Sequence, residues 1–353
     1  MSRRLVYSVA TLFLAACGPG RSEVPVAELV PTGDTILLPY ADVAAAAWLG
    51  GEGGRWVVVA PQDRAVSVAD FGRRSVRPFG STARRAFEQP YDLFRAGDSI
   101  YVSDWQRRQT TVWTLDGRPA GAISAVSGLR GALPRARDGQ GRWYFELFPP
   151  PGPDGRGNLD SASIVRTSAD LTAPDTIARL SPLDVAEVVS EGRRRWERRL
   201  LSGQDRWGVL PDGSVWLARV GRNRVDWLGP DGRLATGEEL PDRVLPVTQA
   251  DRDIFLRQFD PGLRPAVEAI PFAAIKPPFE AALTGPDGTV WLVKSRAVGD
   301  TIRQYQIVNR AGRLAATVRH RGLGQAVALG GGMALVEEHY RDGVRLLLFR
   351  LPG

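Results

Sequence analysis

Two seven-residue stretches, Pro-Asp-Gly-Ser-Val-Trp-Leu at 211–217 and Pro-Asp-Gly-Thr-Val-Trp-Leu at 286–292, are nearly identical and lie far apart in the chain. Each is the start of a hairpin. Pro presets φ, Asp hydrogen-bonds nearby backbone, Gly accepts a positive φ, and Val-Trp-Leu is a short buried strand. Four looser copies share the plan, at Gly53–Ala60, Gly97–Asp104, Gly139–Glu146 and Gly330–Glu337. A second small-residue turn follows in several units, within Val112–Arg118, Val225–Arg233 and Ile307–Arg313. The unit is therefore two hairpins, or four strands.

Equivalent glycines are about 44 residues apart from Gly53 to Gly97, Gly97 to Gly141 and Gly288 to Gly332. Two longer gaps, from Gly141 to Gly213 and from Gly213 to Gly288, leave room for an insertion each. A four-stranded repeat of roughly 40–50 residues is the signature of a propeller blade. The sequence predicts an all-β chain, a six-bladed β-propeller of four-stranded blades with two short helical insertions. After Val344–Arg350 the sixth blade lacks a strand, whereas Asp34–Leu38 precedes the first blade without a partner. The two are expected to pair, which closes the ring and covers a strand edge.

The insertions read as helices. Ser181–Leu201 opens with Ser181 as N-cap, Pro182 at the first helical position and Asp184 at the third, and Val185, Val189, Trp196 and Leu200 fall on one helical face, although Gly192 interrupts it. Thr248–Phe259 begins with Thr248 and has Asp251 three residues later, close to a capping box, and Asp260-Pro261 should end it. Both lie between blades, after the third and the fourth. If the strands of each blade run outward and alternate in direction, the Asp-Gly turns share one face of the disc. The loops between second and third strands share the other with the blade-to-blade connections. Both insertions then project from this connection face, as a lid over the central channel or as decoration on a blade edge.

Residues Phe87–Arg118 carry a Pro before the inner strand, a hydrophobic strand ending in Asp104 and a closing Asp-Gly turn. This blade resembles an NHL repeat, and the remaining units resemble it more loosely, without the strand-end Asp. The resemblance implies a binding or scaffold protein. In a minority of such propellers it implies an enzyme, including calcium-dependent lactonases and related esterases.

The first sixteen residues hold Arg3 and Arg4, then the apolar run Leu5–Ala16, too short to span a membrane comfortably and shaped like a secretory signal. The run ends in Leu-Ala-Ala-Cys, and Cys17 is the single cysteine. This resembles a bacterial lipoprotein signal. The resemblance implies a signal peptide at 1–16, lipidation of Cys17, and a polar tether at 17–33 ahead of a propeller at 34–353. Gly18 rather than Asp after the cysteine implies export to the outer membrane, facing the periplasm. More than one acyl chain makes such anchoring stable. With one cysteine no intramolecular disulfide can form, so the fold rests on its core.

The net charge of +7 is carried almost wholly by arginine, Lys276 and Lys294 being the two lysines. Nucleic acid is not an expected partner of an exported lipoprotein, and the chain is expected to act as a monomer. Aligned units place Asp104, Leu147, Arg219, Lys294 and Glu337 at equivalent strand ends on the connection face, with Trp105, Arg107, Arg108, Arg222, Arg224 and Arg296 just beyond. Arg193, Arg194, Arg195, Arg198 and Arg199 join them from the first insertion. One reading is a ligand-binding mouth formed by Asp104, Trp105, Arg219, Lys294 and Glu337. It would attract an anionic small molecule, a glycan or an envelope protein partner. The other reading is that Asp104 caps its own loop and the arginines are solvated or paired.

Catalytic motifs are sparse. His320 and His339 lack metal-pair spacing, and no nucleophile elbow, phosphate loop or Cys/His cluster is present. No cofactor is predicted, but Ca²⁺ could be held by oxygens from separate inner strands facing the channel. Candidates are Asp92 and Glu280, each two residues after a Pro, together with Glu146 and Gln325. The enzyme alternative is thus a calcium-dependent hydrolase with its site in the channel. Its carboxylates could equally be solvated or paired internally.

Overall fold

The computed structural model describes residues 24–51, 54–80, 86–150, 159–190, 192–340 and 343–352. Cys17 and the signal segment lie outside the described residues. Six antiparallel sheets surround a central channel, and each is a blade. Their innermost strands are Ala45–Gly50, Pro90–Ala96, Ala136–Arg137, Arg206–Val209, Phe279–Thr284 and Gln325–Gly330.

The repeated Pro-Asp-Gly turns are built alike. Gly213 and Gly288 sit at φ +86° and +77°. The side chains of Asp212 and Asp287 accept from the Ser214 and Thr289 amides. The following Val-Trp-Leu alternates between two neighbouring blades, because successive side chains of a strand point to opposite faces. Trp216 packs toward the fifth blade with Phe279, Val290 and Leu292, whereas Val215 and Leu217 pack toward the third with Tyr144 and Ile164. In the next blade Trp291 and Val293 face the sixth. Six such apolar layers, one between each pair of blades, make up the core.

The ring closes by strand exchange. Val30–Leu38 forms the outer strand of the sixth blade, with Thr35 opposite Leu347 and Leu38 opposite Val344. Val26–Glu28 adds a parallel fifth strand to the blade before it, against Thr317–Arg319. The stretch read as tether up to Gly33 is therefore folded from Val26 onward, because its backbone satisfies two sheet edges that would otherwise be open.

The second insertion matches its expectation. An α-helix spans Gln249–Leu256 with a complete capping box between Thr248 and Asp251, and a short helix follows at Arg264–Glu268. The first does not. Ser181–Leu201 contains a β-hairpin of Val185–Ser190 and Arg193–Arg198 instead of a helix. Its burial follows period two, with Ala186 and Val188 buried and Glu187 and Val189 exposed. Gly192, at φ +73°, turns the chain. β-Branched valines and a left-handed glycine outweigh the Ser-Pro start signal.

Candidate functional site

Asp104, Leu147, Arg219 and Lys294 each end the second strand of a blade, whereas Glu337 lies within Met333–Tyr340, and four of these five side chains tie blade connections. The Asp104 carboxylate is fully buried and accepts from the backbone N–H groups of Glu88 (2.7 Å), Gln89 (3.2 Å) and Arg107 (3.0 Å). Arg219 bridges Asp205 (2.9 Å) and Asp226 (3.2 Å) and donates to the Arg179 carbonyl. Lys294 pairs with Asp242 at 3.0 Å and donates to Asn223 Oδ1; burial pushes its ammonium down, against the pull of Asp242. Glu337 accepts from the Val43 amide at 3.1 Å, and burial raises its carboxyl. Leu147, at the same position of the third blade, is buried and apolar. The mouth envisaged from the sequence is thus mostly fastening. Trp105 differs: it is 66% exposed, with Tyr91 edge-on to it.

Most of the neighbouring arginines are neutralised. Arg107 pairs with Glu88, Arg222 with Glu239 and Arg224 with Asp226. On the hairpin, Arg194 pairs with Glu187, Arg195 with Glu197 and Arg199 with Asp184. Arg296 donates to the carbonyls of Asp300 and Leu323.

The channel is a cavity of about 1030 Å³ lined by the six inner strands. Toward the connection face Arg135 sits between Asp92 (3.3 Å) and Glu146 (3.8 Å), and the Trp207 indole donates to Glu146 at 2.7 Å. Burial raises the Asp92 carboxyl and Arg135 opposes the rise. Glu280, in the fifth blade, is held by Arg303 at 2.8 Å. Gln325 pairs through its backbone with Glu337. No group of three or more His, Cys, Asp or Glu side chains able to hold a metal occurs among the described residues. Asp92 and Glu146 meet on the Arg135 guanidinium and Glu280 is held apart on Arg303, so the negative charge a calcium ion would need is already neutralised. His320 is buried against Tyr305 and Phe349, and exposed His339 lies 3.4 Å from Glu337.

Beside the channel mouth a second cavity of about 330 Å³ lies between the two insertions and the fifth blade. The insertions are joined: Leu200 donates to the Pro271 carbonyl, and Ala273 donates back to Leu200. Lys276 clamps the helix start through Asp251. Into this cavity face Arg198 and Arg206. Arg198 donates to Ser202 Oγ (3.1 Å), Gln204 Oε1 (2.7 Å) and the Ser202 carbonyl (2.5 Å), all neutral. Arg206 has one long contact, 3.5 Å to the Glu280 carbonyl. Burial lowers both, and the charges of Arg198 and Arg135 lower Arg206 further. Nothing in the sequence singled out Arg135 and Arg206, although Arg135 directly precedes and Arg206 begins the inner strand of its blade, in the part of the repeat that pointed to Asp92 and Glu280. In a chain this rich in arginine, two more arginines carry no local signal.

No family model matches the chain, and no curated protein matches it. Solved structures do. A putative exported protein from Bacteroides fragilis superposes with a TM-score of 0.50 at 8% identity, over 93% of this chain and 99% of that one. A virginiamycin B lyase from Staphylococcus aureus gives 0.47 at 9% identity, over 90% and 98%. A gluconolactonase from Xanthomonas campestris gives 0.45 at 11%, over 92% and 98%. Identities this low speak to fold alone. By its own strand order the chain is a six-bladed β-propeller.

Proposed function

We propose that this chain is an NHL-like binding propeller of the bacterial cell envelope, anchored through lipidated Cys17, that receives an envelope protein or a small anionic ligand on its connection face. The observation that carries the reading is the asymmetry between the faces. Large apolar side chains stand exposed on the connection face at Trp105, Phe148, Val244, Ile275, Val298 and Leu323. On the face of the Asp-Gly turns only Leu234 and Val30, the latter opposite Arg350 at the turn end of the sixth blade, are comparably exposed among the described residues. Apolar surface is left in water where it is later covered, and tryptophan is enriched at binding hot spots. Both insertions, which the blades do not need for closure, also rise from this face. The calcium-hydrolase alternative is not adopted, because Asp92, Glu146 and Glu280 are each engaged by an arginine.

The test is photo-cross-linking in cells of the source type, with a photoreactive residue at Trp105, Phe148 or Leu323 and a control at Leu234. A discrete adduct from the first three and none from Leu234 supports the reading for a protein partner. Equal labelling from both faces removes it.

A further inference from the structure

We infer that the cavity between the two insertions is a binding site for a small amphipathic anion, an oxyanion head on a compact apolar body. This deepens the proposed function and rests on the reading that the connection face is the binding face. Arg198 and Arg206 meet no carboxylate in ion-pair contact among the described residues. A guanidinium carries five N–H donors. Arg198 uses three of them on neutral oxygens, and Arg206 commits one at the limit of hydrogen-bond distance. Two like charges are therefore held together in a partly desolvated place, an arrangement that repels itself until an anion enters. Arg194, Arg195 and Arg199 of the same insertion each have a carboxylate partner, so the exception is local.

A second observation points the same way. Ser295 Oγ, in the lining of this cavity, is buried without a hydrogen-bond partner. A buried hydroxyl left unsatisfied is costly, and a small side-chain rotation on ligand entry would let it meet a ligand oxygen. The lining also holds apolar Leu201, Ile254, Phe255 and Phe279, and its two carboxylates are already spent, Asp251 on Lys276 and Glu280 on Arg303. The volume lies at the lower end of the roughly 300–1,000 Å³ range of small-molecule sites. Guanidinium groups without carboxylate partners and apolar side chains in one lining select against both a bare inorganic anion and a neutral apolar molecule. The shared chemistry is that of a short-chain or aryl carboxylate or phosphate ester, with the head group bidentate on guanidinium.

The experiment is isothermal titration of the purified full-length protein with 4-phenylbutyrate, 4-phenylbutanol and acetate. The expected result is saturable binding of 4-phenylbutyrate at least tenfold tighter than of either control. Arg198→Gln and Ile254→Glu should each weaken it tenfold or more. Ile254 is 41% exposed, so its variant tests the wall without disturbing the core. Phenylphosphate in place of phenylbutyrate separates a phosphate head from a carboxylate. Absence of binding by both anions at millimolar concentration overturns the proposal, as does equal binding of the alcohol. Binding unchanged in both variants overturns it too, by placing the ligand elsewhere. If the proposal fails while the connection-face adducts persist, the face reading stands for a protein partner alone.

Discussion

Replacement of Asp104 by alanine separates a fastening from a ligand contact. The carboxylate is fully buried and accepts three backbone N–H groups, two from the connection that enters its blade and one from its own loop. Hydrogen bonds to a charged acceptor contribute about 1.5–3 kcal/mol each, but the carboxylate's own desolvation offsets part of that gain. A net loss of about 3 kcal/mol is expected for Asp104→Ala. Asp104→Asn keeps a carbonyl oxygen but turns an amide N–H₂ toward other donors, and should lose about half as much. Urea denaturation followed by tryptophan fluorescence measures both, since Trp113 is packed in the adjoining core. At about 1.5 °C per kcal/mol for a domain of about 320 residues, the alanine variant should melt about 4–5 °C lower. A loss below about 1 kcal/mol would refute the fastening role and return Asp104 to the list of residues free to meet a ligand.

Calcium should leave the melting temperature of the purified protein within about 1 °C of its value in chelator; a rise of several degrees would show that the native state binds the ion and that the channel carboxylates can converge. Leu38→Ala should cost about 2–5 kcal/mol, since Leu38 is 2% exposed in the exchanged strand, whereas neighbouring Leu37→Ala, at 63% exposed, should cost under about 0.5. Equal losses would mean a different register of closure. Burial, reinforced by the charge of Arg303, pushes the His320 imidazole down to about 4. The unfolded chain takes up that proton near pH 6.5 and the folded one does not. Stability from this group is therefore complete above about 6.5 and is lost as pH falls toward 4, by about 3 kcal/mol at most. Comparing urea midpoints at pH 4.5 and 7 for the wild type and His320→Phe checks the sign, because the variant should lose less on acidification.

Blade number, strand order, turn chemistry and the strand exchange were legible because they depend on period and spacing. The second insertion was legible too, since a capping box is a local device: Thr248 and Asp251 satisfy each other's backbone whatever surrounds them. The first insertion was not. Its Ser-Pro-x-Asp opening and its alternating valines support opposite structures, and burial of Ala186 and Val188 on one face of the pair goes with the hairpin. The aligned positions Asp104, Arg219, Lys294 and Glu337 are readable from the repeat, but the connections they tie depend on what stands opposite each.

What the sequence by itself determined is the repeat. Pro-Asp-Gly-x-Val-Trp-Leu fixes a left-handed glycine turn and a strand whose residues alternate between two blade interfaces, and these are consequences of local backbone geometry. What only the tertiary structure decided is which charges are spent. Arg219 and Arg198 are indistinguishable as letters in an arginine-rich chain, yet one lies between two buried aspartates and the other touches only neutral oxygens. Electrostatic partnership is set by distances of a few ångströms between residues remote in sequence, and no local pattern encodes them.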